Sequence, residues 1–409
     1  MTITRRGVLK AAGAGAALAS SGYAIPKALA DALNLPAALP DGLRAEAVLD
    51  ALPGKKPLIK LSYRPPNYET PIALLGSDGI TPNDAFFVRY HLSDIPEVDA
   101  KTWKLKVGGE GANSTAELDL ADLKRMPATE ITAVNQCSGN RRGLFAPHVA
   151  GVEWGYGAMG CARWRGARLK DVLNKVGLKK EAIEIVLDGA DGPIVQKTPD
   201  FVKSVPVHKA LDENTLIAYE MNGAPLPHFN GFPARIILPG WTGTYWVKHI
   251  TSINAVTKPF GGFWMKVAYR IPVNKFPTEL FTTQTTDVNT PITEMVVNSL
   301  ITSHVDGAQV KAGSAVMLLG LAWDAGDGIA KVEASSDGGA SWKPATLGRD
   351  LGRFAFRPFS FTTPPLPAGA HKVSVRAENK KGQKQVTGLI LNPAGYHHNV
   401  VQTLMLNAA

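Results

Sequence analysis

A chain of 409 residues is long for one hydrophobic core, so two packed domains behind any targeting segment is the expected organisation. Apolar residues make up 45% and charged residues 19%, which excludes a wholly disordered chain, and 40 glycines with 29 prolines point to many turns and short strands. The formal charge of +9 is spread without any lysine or arginine run longer than two residues, which argues against nucleic-acid binding.

In chain order, Arg5 and Arg6 in TRRGVLK come first, then an alanine- and glycine-rich stretch, then Ala28, Leu29 and Ala30. This is the pattern of a twin-arginine export signal over residues 1–30, so a periplasmic protein is expected. Residues 11–22 are too short and too weakly apolar to span about 30 Å of hydrocarbon, so no stable membrane insertion is expected. Cleavage after Ala30 removes Arg5, Arg6, Lys10 and Lys27 and no acid, leaving a modest basic surplus. Export in the folded state suits a protein that receives a cofactor before crossing.

Residues 31–80 read as a proline-rich loop, with YRPPNYETP extended by its prolines. Strands are predicted at 85–92 (AFFVRYHL), 103–109, 130–137 (EITAVNQC), 184–189, 216–223 and 234–240, with short helices at 119–126 and 168–177. This mixture is α+β and is assigned to a domain over residues 31–285. After the threonine-rich TTQTTDVNTP the texture changes to strand-sized pieces at 315–323, 330–342, 354–363 and 371–382. An immunoglobulin-like β-sandwich over residues 286–409 is the natural reading. Residues 335–342 fit an aspartate box with Ser335, Asp337, Gly339, Ser341 and Trp342; one copy is a hairpin turn, not a glycosidase propeller.

Only Cys137 and Cys161 are available, and an even count in an exported chain allows a structural disulfide between them. Cys137 nevertheless sits in VNQCSGNRRG, where guanidinium charge and unpaired turn amides favour a thiolate, a soft metal ligand. Cys161, in AMGCARW, reads as a buried free thiol.

The loop around Cys137 resembles the molybdenum-cysteine loop of the sulfite oxidase family, Q-C-[AS]-G-N-R-R. It is joined in the family's order by FFVRYH at residues 86–91 and by GFPARIILPGWTGTYWVK at 231–248. The resemblance covers the mature chain and implies a mixed α/β molybdopterin-binding fold followed by a sandwich of the dimerisation type. It also implies Cys137 as the protein ligand to molybdenum, the remaining ligands coming from the pterin dithiolene and oxygen. Phe87, Val88, Arg89, Tyr90, His91, Asp191, Arg235, Trp246, Val247 and Lys248 match cofactor-binding positions. Asn230 stands where eukaryotic members carry a histidine. Arg89, Arg142, His91, the phenol of Tyr269 and the aromatic wall at Trp154 match the substrate site, and a further C-terminal arginine of vertebrate members falls on Ala394.

The implied reaction is oxidation of sulfite to sulfate. The chain has no C-x-x-C-H motif and therefore no covalently attached haem of its own, so the electrons are expected to pass to a c-type cytochrome, either a subunit or a soluble partner. A heterodimer or a homodimer is compatible with this. The alternatives are a methionine sulfoxide reductase-like molybdoenzyme, which typically lacks the diarginine loop and the sandwich, and an exported binding protein with a structural disulfide. Taken singly, Arg141 and Arg142 also read as surface residues, and Tyr269, Trp154 and His91 as packing residues.

Overall fold

Strands Ala128–Gln136 and Met159–Arg168 pair antiparallel without a break, from Ala128 opposite Ala167 to Gln136 opposite Met159. This register ends one residue before Cys137. The computed structural model describes residues 48–272, 285 and 288–409; the export signal expected over 1–30 and part of the threonine-rich linker lie outside the described residues. Met159–Arg168 is a strand that propensity does not announce, because it is rich in glycine and arginine. Its glycines are needed for close approach: a Cβ on Gly166 would lie 2.1 Å from the Ile217 carbonyl oxygen, and one on Gly160 2.5 Å from the Phe86 ring. Leu216–Met221 pairs on its other edge, and Arg235–Ile237 pairs with Leu216–Met221 in turn.

A second, mixed sheet runs in the order Lys203–Pro206, Glu184–Gly189, Ile250–Val256, Leu105–Gly108, Ala116–Leu118. Helix Leu120–Arg125 starts on an Asp119 capping box closed by Asp122, and its basic last turn suits the helix dipole. Helix Leu169–Val176 buries Leu169, Val172, Leu173 and Val176, spaced as one helical face, and stops at Gly177 with φ +65°. These elements enclose one apolar core that reaches Phe86, Cys137 and Trp246. Within the α+β reading, the strands are many and the helices few and short.

The loop expected before residue 80 is corrected by the structure. Val48–Asp50, Leu58–Ser62, Asn67–Glu69 and Val88–Arg89 form a four-stranded antiparallel sheet. Pro65 and Pro66 fall in the turn between two strands, where the ladder needs no amide from them. The strand expected over 85–92 shrinks to Val88–Arg89.

The second domain packs a sheet Asn298–Ile301, Met317–Trp323, Arg357–Thr362, Thr346–Leu347 against a five-stranded sheet containing Ile329–Ser335, Gly369–Asn379 and Gln402–Ala408. Between them lie Val332, Phe359, Val373, Val375, Leu404 and Leu406. The aspartate box is a turn: Asp337 accepts from the Ser335 hydroxyl at 2.7 Å and from the Ser341 amide at 3.0 Å.

The two domains meet behind the Cys137 loop. The Val134 amide donates to the Phe354 carbonyl at 2.9 Å, the Trp323 indole to Gln136 Oε1 at 2.6 Å, and Arg141 Nη2 to the Ser299 carbonyl at 3.0 Å. Around them Val134, Tyr156, Met159 and Cys161 pack with Leu321, Trp323 and Phe356.

Candidate cofactor and active site

The loop after Ala128–Gln136 is built by its own amides. Cys137 N–H donates to the Ala158 carbonyl at 2.9 Å, Asn140 N–H returns to the Cys137 carbonyl at 3.0 Å, and Asn140 Oδ1 accepts from Ala158 N–H at 3.0 Å. Facing it, the segment around Gly155 is clamped by Glu69, whose two carboxyl oxygens accept the amides of Gly155 at 2.7 Å and Gly157 at 2.8 Å. Burial raises the Glu69 carboxyl to about 7 despite these amides. Both cysteines are free and buried, so the disulfide alternative is overturned. Burial pushes the Cys161 thiol up to about 12, as befits an inert core thiol.

Cys137 lies in a cleft lined among others by Phe87, Arg89, Tyr90, His91, Asn135, Ser138, Asp191, Phe201, Asn230, Arg235, Thr244, Trp246, Val247, Lys248 and Tyr269. Toward one end Arg235 is buried, its Nη1 on the Asn230 carbonyl and its Nη2 on the Trp246 carbonyl, both at 2.9 Å. Burial lowers it to about 9. Lys248 lies over the Tyr90 ring, 2.8 Å from its centroid, and is held well below the usual lysine range by burial and by Arg235. Burial raises Asp191 to about 6, against the pull of Lys248. Behind this wall Lys55 donates to the Asn83 and Phe86 carbonyls and to Asn230 Oδ1, and burial lowers it to about 7. Tyr90 Oη donates to His249 Nε2 at 2.7 Å while His249 Nδ1–H donates to the Phe232 carbonyl at 2.6 Å; burial keeps that imidazole neutral, near 3.

Toward the other end Tyr269 Oη and His91 Nε2 share a hydrogen bond. Burial, then Arg89, Lys203 and Lys248, hold His91 well below the usual histidine range, while burial raises the Tyr269 phenol against Arg89 and Arg142. The His91 ring stacks on Phe201 with centroids 3.7 Å apart and meets the edge of Trp264 at 4.9 Å. Arg89 reaches Asn67 Oδ1 at 3.2 Å and the Tyr90 carbonyl.

The donor set can be tested against a pterin bearing a dithiolene and a phosphate. Buried Asn135 Oδ1, Ser138 Oγ, Thr244 Oγ1 and Arg235 Nε have no hydrogen-bond partner within the chain, and all four residues line the cleft. Buried polar atoms of this kind require a partner. Lys248 feels Arg235, Arg89 and Lys55 against the single carboxylate of Asp191, so this part of the cleft favours an anion. Among the described residues no three His, Cys, Asp or Glu side chains converge, and Cys137 is the soft donor of the cleft. The set fits a polar, anionic cofactor that brings most of its own metal ligands.

Residues 91–264 match the oxidoreductase molybdopterin binding domain, and residues 289–401 match the Mo-co oxidoreductase dimerisation domain. The chain is 32% identical over 327 residues to the sulfite oxidase of Arabidopsis thaliana, covering 76% of this chain and 81% of that one. It belongs to the sulfite oxidase family. Against the mitochondrial sulfite oxidases of Rattus norvegicus and Homo sapiens it is 36% and 35% identical, over 72% and 79% of its own length. It spans 54% and 60% of those two relatives. The fold is also that of the sulfane dehydrogenase SoxCD from Paracoccus pantotrophus, with a TM-score of 0.72 at 24% identity over 85% of this chain and 88% of that one.

Within this sulfite oxidase fold the cleft gathers Cys137, Phe87, Arg89, Tyr90, His91, Asp191, Asn230, Arg235, Trp246, Val247, Lys248 and Tyr269. Val88, Arg142 and Trp154 do not line it. Val88 turns to the other face of its short strand, into the cluster of Leu58, Tyr68 and Tyr90. Trp154 is fully buried, its carbonyl accepts from Gly143 N–H at 2.9 Å, and its indole N–H has no hydrogen-bond partner within the chain. The Arg142 guanidinium is already engaged, by the Ala394 carbonyl at 2.8 Å and the Val152 carbonyl at 3.0 Å. Arg141, which reads as a surface residue in isolation, is completely buried over the rings of Tyr156 and Trp323.

Sequence reasoning missed Asn135, Ser138, Thr244 and Phe201 in the lining, and Glu69, Lys55, His249 and Tyr396 behind it. Asn135 and Ser138 flank Cys137 within the motif itself, which is a usable signal; the others are brought in by tertiary contacts.

Proposed function

We propose that this chain oxidises sulfite to sulfate at a molybdopterin centre, in the periplasm after twin-arginine export, and passes the electrons to a c-type cytochrome. The observation that carries the reading is a free, buried Cys137 set between excess buried cations at Arg235 and Lys248 and the Arg89–Tyr269–His91 group. The names of the similar proteins, sulfite oxidases of mammals and of a plant, support the same substrate.

When bound, the molybdenum centre supplies two-electron oxygen-atom transfer; the chain supplies placement and charge. Cys137 Sγ would be its protein ligand. Arg235, with its planar fork, and Lys248, as a point charge, would hold the phosphate, while Asn135, Ser138 and Thr244 would satisfy the polar edge of the pterin. Arg89 would bind the oxygens of the pyramidal sulfite anion. Tyr269 Oη, held by neutral His91, would orient that anion and give or receive a proton at its own oxygen. Phe201 and Trp264 close this side against water. The same fold would place the dimerisation domain for a homodimer or a heterodimer with the cytochrome.

The test is molybdenum analysis of the exported protein followed by sulfite-dependent reduction of cytochrome c. Molybdenum-loaded protein that leaves cytochrome c oxidised in sulfite would overturn the reading. Replacing Arg5 and Arg6 by lysine should strand folded precursor in the cytoplasm, and an unchanged periplasmic yield would remove the export reading.

A further inference from the structure

We propose that Tyr396, contributed by the second domain, is a positioning residue for Tyr269 in the cleft and for Arg142 behind it, and through Tyr269 sets the shape of the oxyanion pocket. The proposal rests on the sulfite reading above. Tyr396 is 5% exposed. Its ring stacks on that of Tyr269 with centroids 5.6 Å apart and planes 12° from parallel. The Arg142 guanidinium carbon lies 5.4 Å from the same centroid. One ring therefore touches both the phenol of the cleft and the arginine beside the Cys137 loop.

The ring is itself fixed in place. Asn392 brackets the residue, accepting from Tyr396 N–H at 2.9 Å and donating to its carbonyl at 3.0 Å. Between them, the Ala394 carbonyl takes Arg142 Nε–H, and Gly395 has φ +60°. A Cβ on Gly395 would stand 2.7 Å from Arg142 Cγ and 2.6 Å from Val149 Cγ2, so the segment is moulded around that arginine.

Tyr269 needs outside support. Its φ of +60° is sparsely populated for a bulky side chain and persists only where the surroundings over-determine it. The hydroxyl is held by His91, and the carbonyl accepts from Ile292 N–H at 2.7 Å. Neither contact fixes the plane of the ring. Tyr396 does so by stacking, with Trp264 tilted at 51° and 6.0 Å. In this chain, then, the segment on which a vertebrate arginine falls supplies no charge; it presents a ring that aims two residues already present.

The experiment compares Tyr396→Leu, which removes the ring, with Tyr396→Phe, which keeps it, in holoenzyme matched for molybdenum. Tyr396→Leu is expected to raise both the KM for sulfite and the Kd for sulfate about tenfold, with kcat falling less, and Tyr396→Phe to restore most of that loss. A crystal structure of Tyr396→Leu is expected to show the Tyr269 ring rotated or Arg142 released from the Ala394 carbonyl. Tyr269 and Arg142 left in place, with sulfate affinity unchanged, would overturn the proposal even if the melting temperature fell. If Tyr396→Leu does not fold, Tyr396→Met, which also removes the ring and fills more of its space, takes its place in each comparison. Should the unaltered protein neither bind sulfate nor oxidise sulfite, the functional reading fails, whereas the crystallographic comparison still decides whether Tyr396 positions these two residues.

Discussion

At the Cys137 end of the cleft, buried arginines are held by neutral partners from both domains; at the Arg235 end, cations crowd one another within the first domain alone. Arg141 and Arg142 rest on carbonyls and rings, including Ser299 and Ala394 of the second domain. Arg235 stands beside Lys248, which is driven well below its usual range by burial and by Arg235. The same residue type thus does two jobs. Guanidinium groups held across the domain junction fix a loop, whereas cations crowded together anticipate an anion that the chain does not itself contain.

The largest expected effect is at Cys137, the proposed metal ligand. Cys137→Ser should leave a folded protein with activity reduced by at least about a hundredfold, because a hydroxyl does not replace a soft thiolate. Cys161→Ser should stay close to the unaltered protein. Equal losses in the two variants would place the ligand elsewhere.

Next is the cationic end, where Arg235→Met or Lys248→Met removes attraction without adding bulk. Both should be recovered with much less molybdopterin, and Lys248→Met, which relieves repulsion, should melt no lower than the unaltered apoprotein. Full cofactor content in both would show that these cations do not hold the phosphate.

Arg89, in the cleft lining, and Arg142, behind it, sharpen the contrast. A charge-assisted hydrogen bond is worth about 1.5–3 kcal/mol, so Arg89→Met should raise the KM for sulfite roughly tenfold to a hundredfold with little change in melting temperature. Arg142→Met should lower the melting temperature as well, since its guanidinium holds Val152 and Ala394 together. From the sequence both arginines read alike, as binders of the anion. Indistinguishable melting curves for the two would break the distinction drawn here.

The smallest effect is a pH dependence at His249. Its folded value is depressed from 6.5 to about 3 by burial, so its contribution to stability is complete above 6.5 and is lost as pH falls from 6.5 toward 3. The limiting slope is about 1.4 kcal/mol per pH unit. Relative to His249→Gln, the unaltered protein should therefore lose melting temperature between pH 6.5 and pH 4.5. A difference that stays constant over that range would mean the imidazole is already charged in the folded state.

What the sequence reveals of this site follows the chain. VNQCSGNRRG is contiguous, so Cys137 and its turn are legible at once, and the helices 120–125 and 169–176 carry both periodicity and end signals. Met159–Arg168 is not legible as a strand, because its glycines serve Phe86 and Ile217, residues remote in sequence. Glu69 and Lys55 are hidden for a similar reason: a proline-rich stretch disguises the sheet that carries Glu69 and, between its first two strands, Lys55. Arg142 is less legible, because motif membership fixes which loop a residue joins and not which carbonyls its side chain takes.

Arg141 carries one last consequence. Its side chain is wholly enclosed, and its one carbonyl partner, Ser299, belongs to the sandwich, as does the Trp323 ring on which it lies. Melting the sandwich alone would take away the carbonyl and the ring that hold this guanidinium and open the apolar junction around it, so the molecule should unfold as one cooperative unit, with a single calorimetric transition and not two. On the ribosome the same linkage imposes an order: the thiol-bearing turn can finish folding only after residues far toward the C-terminus have emerged, which keeps the cradle open while the chain is still being made.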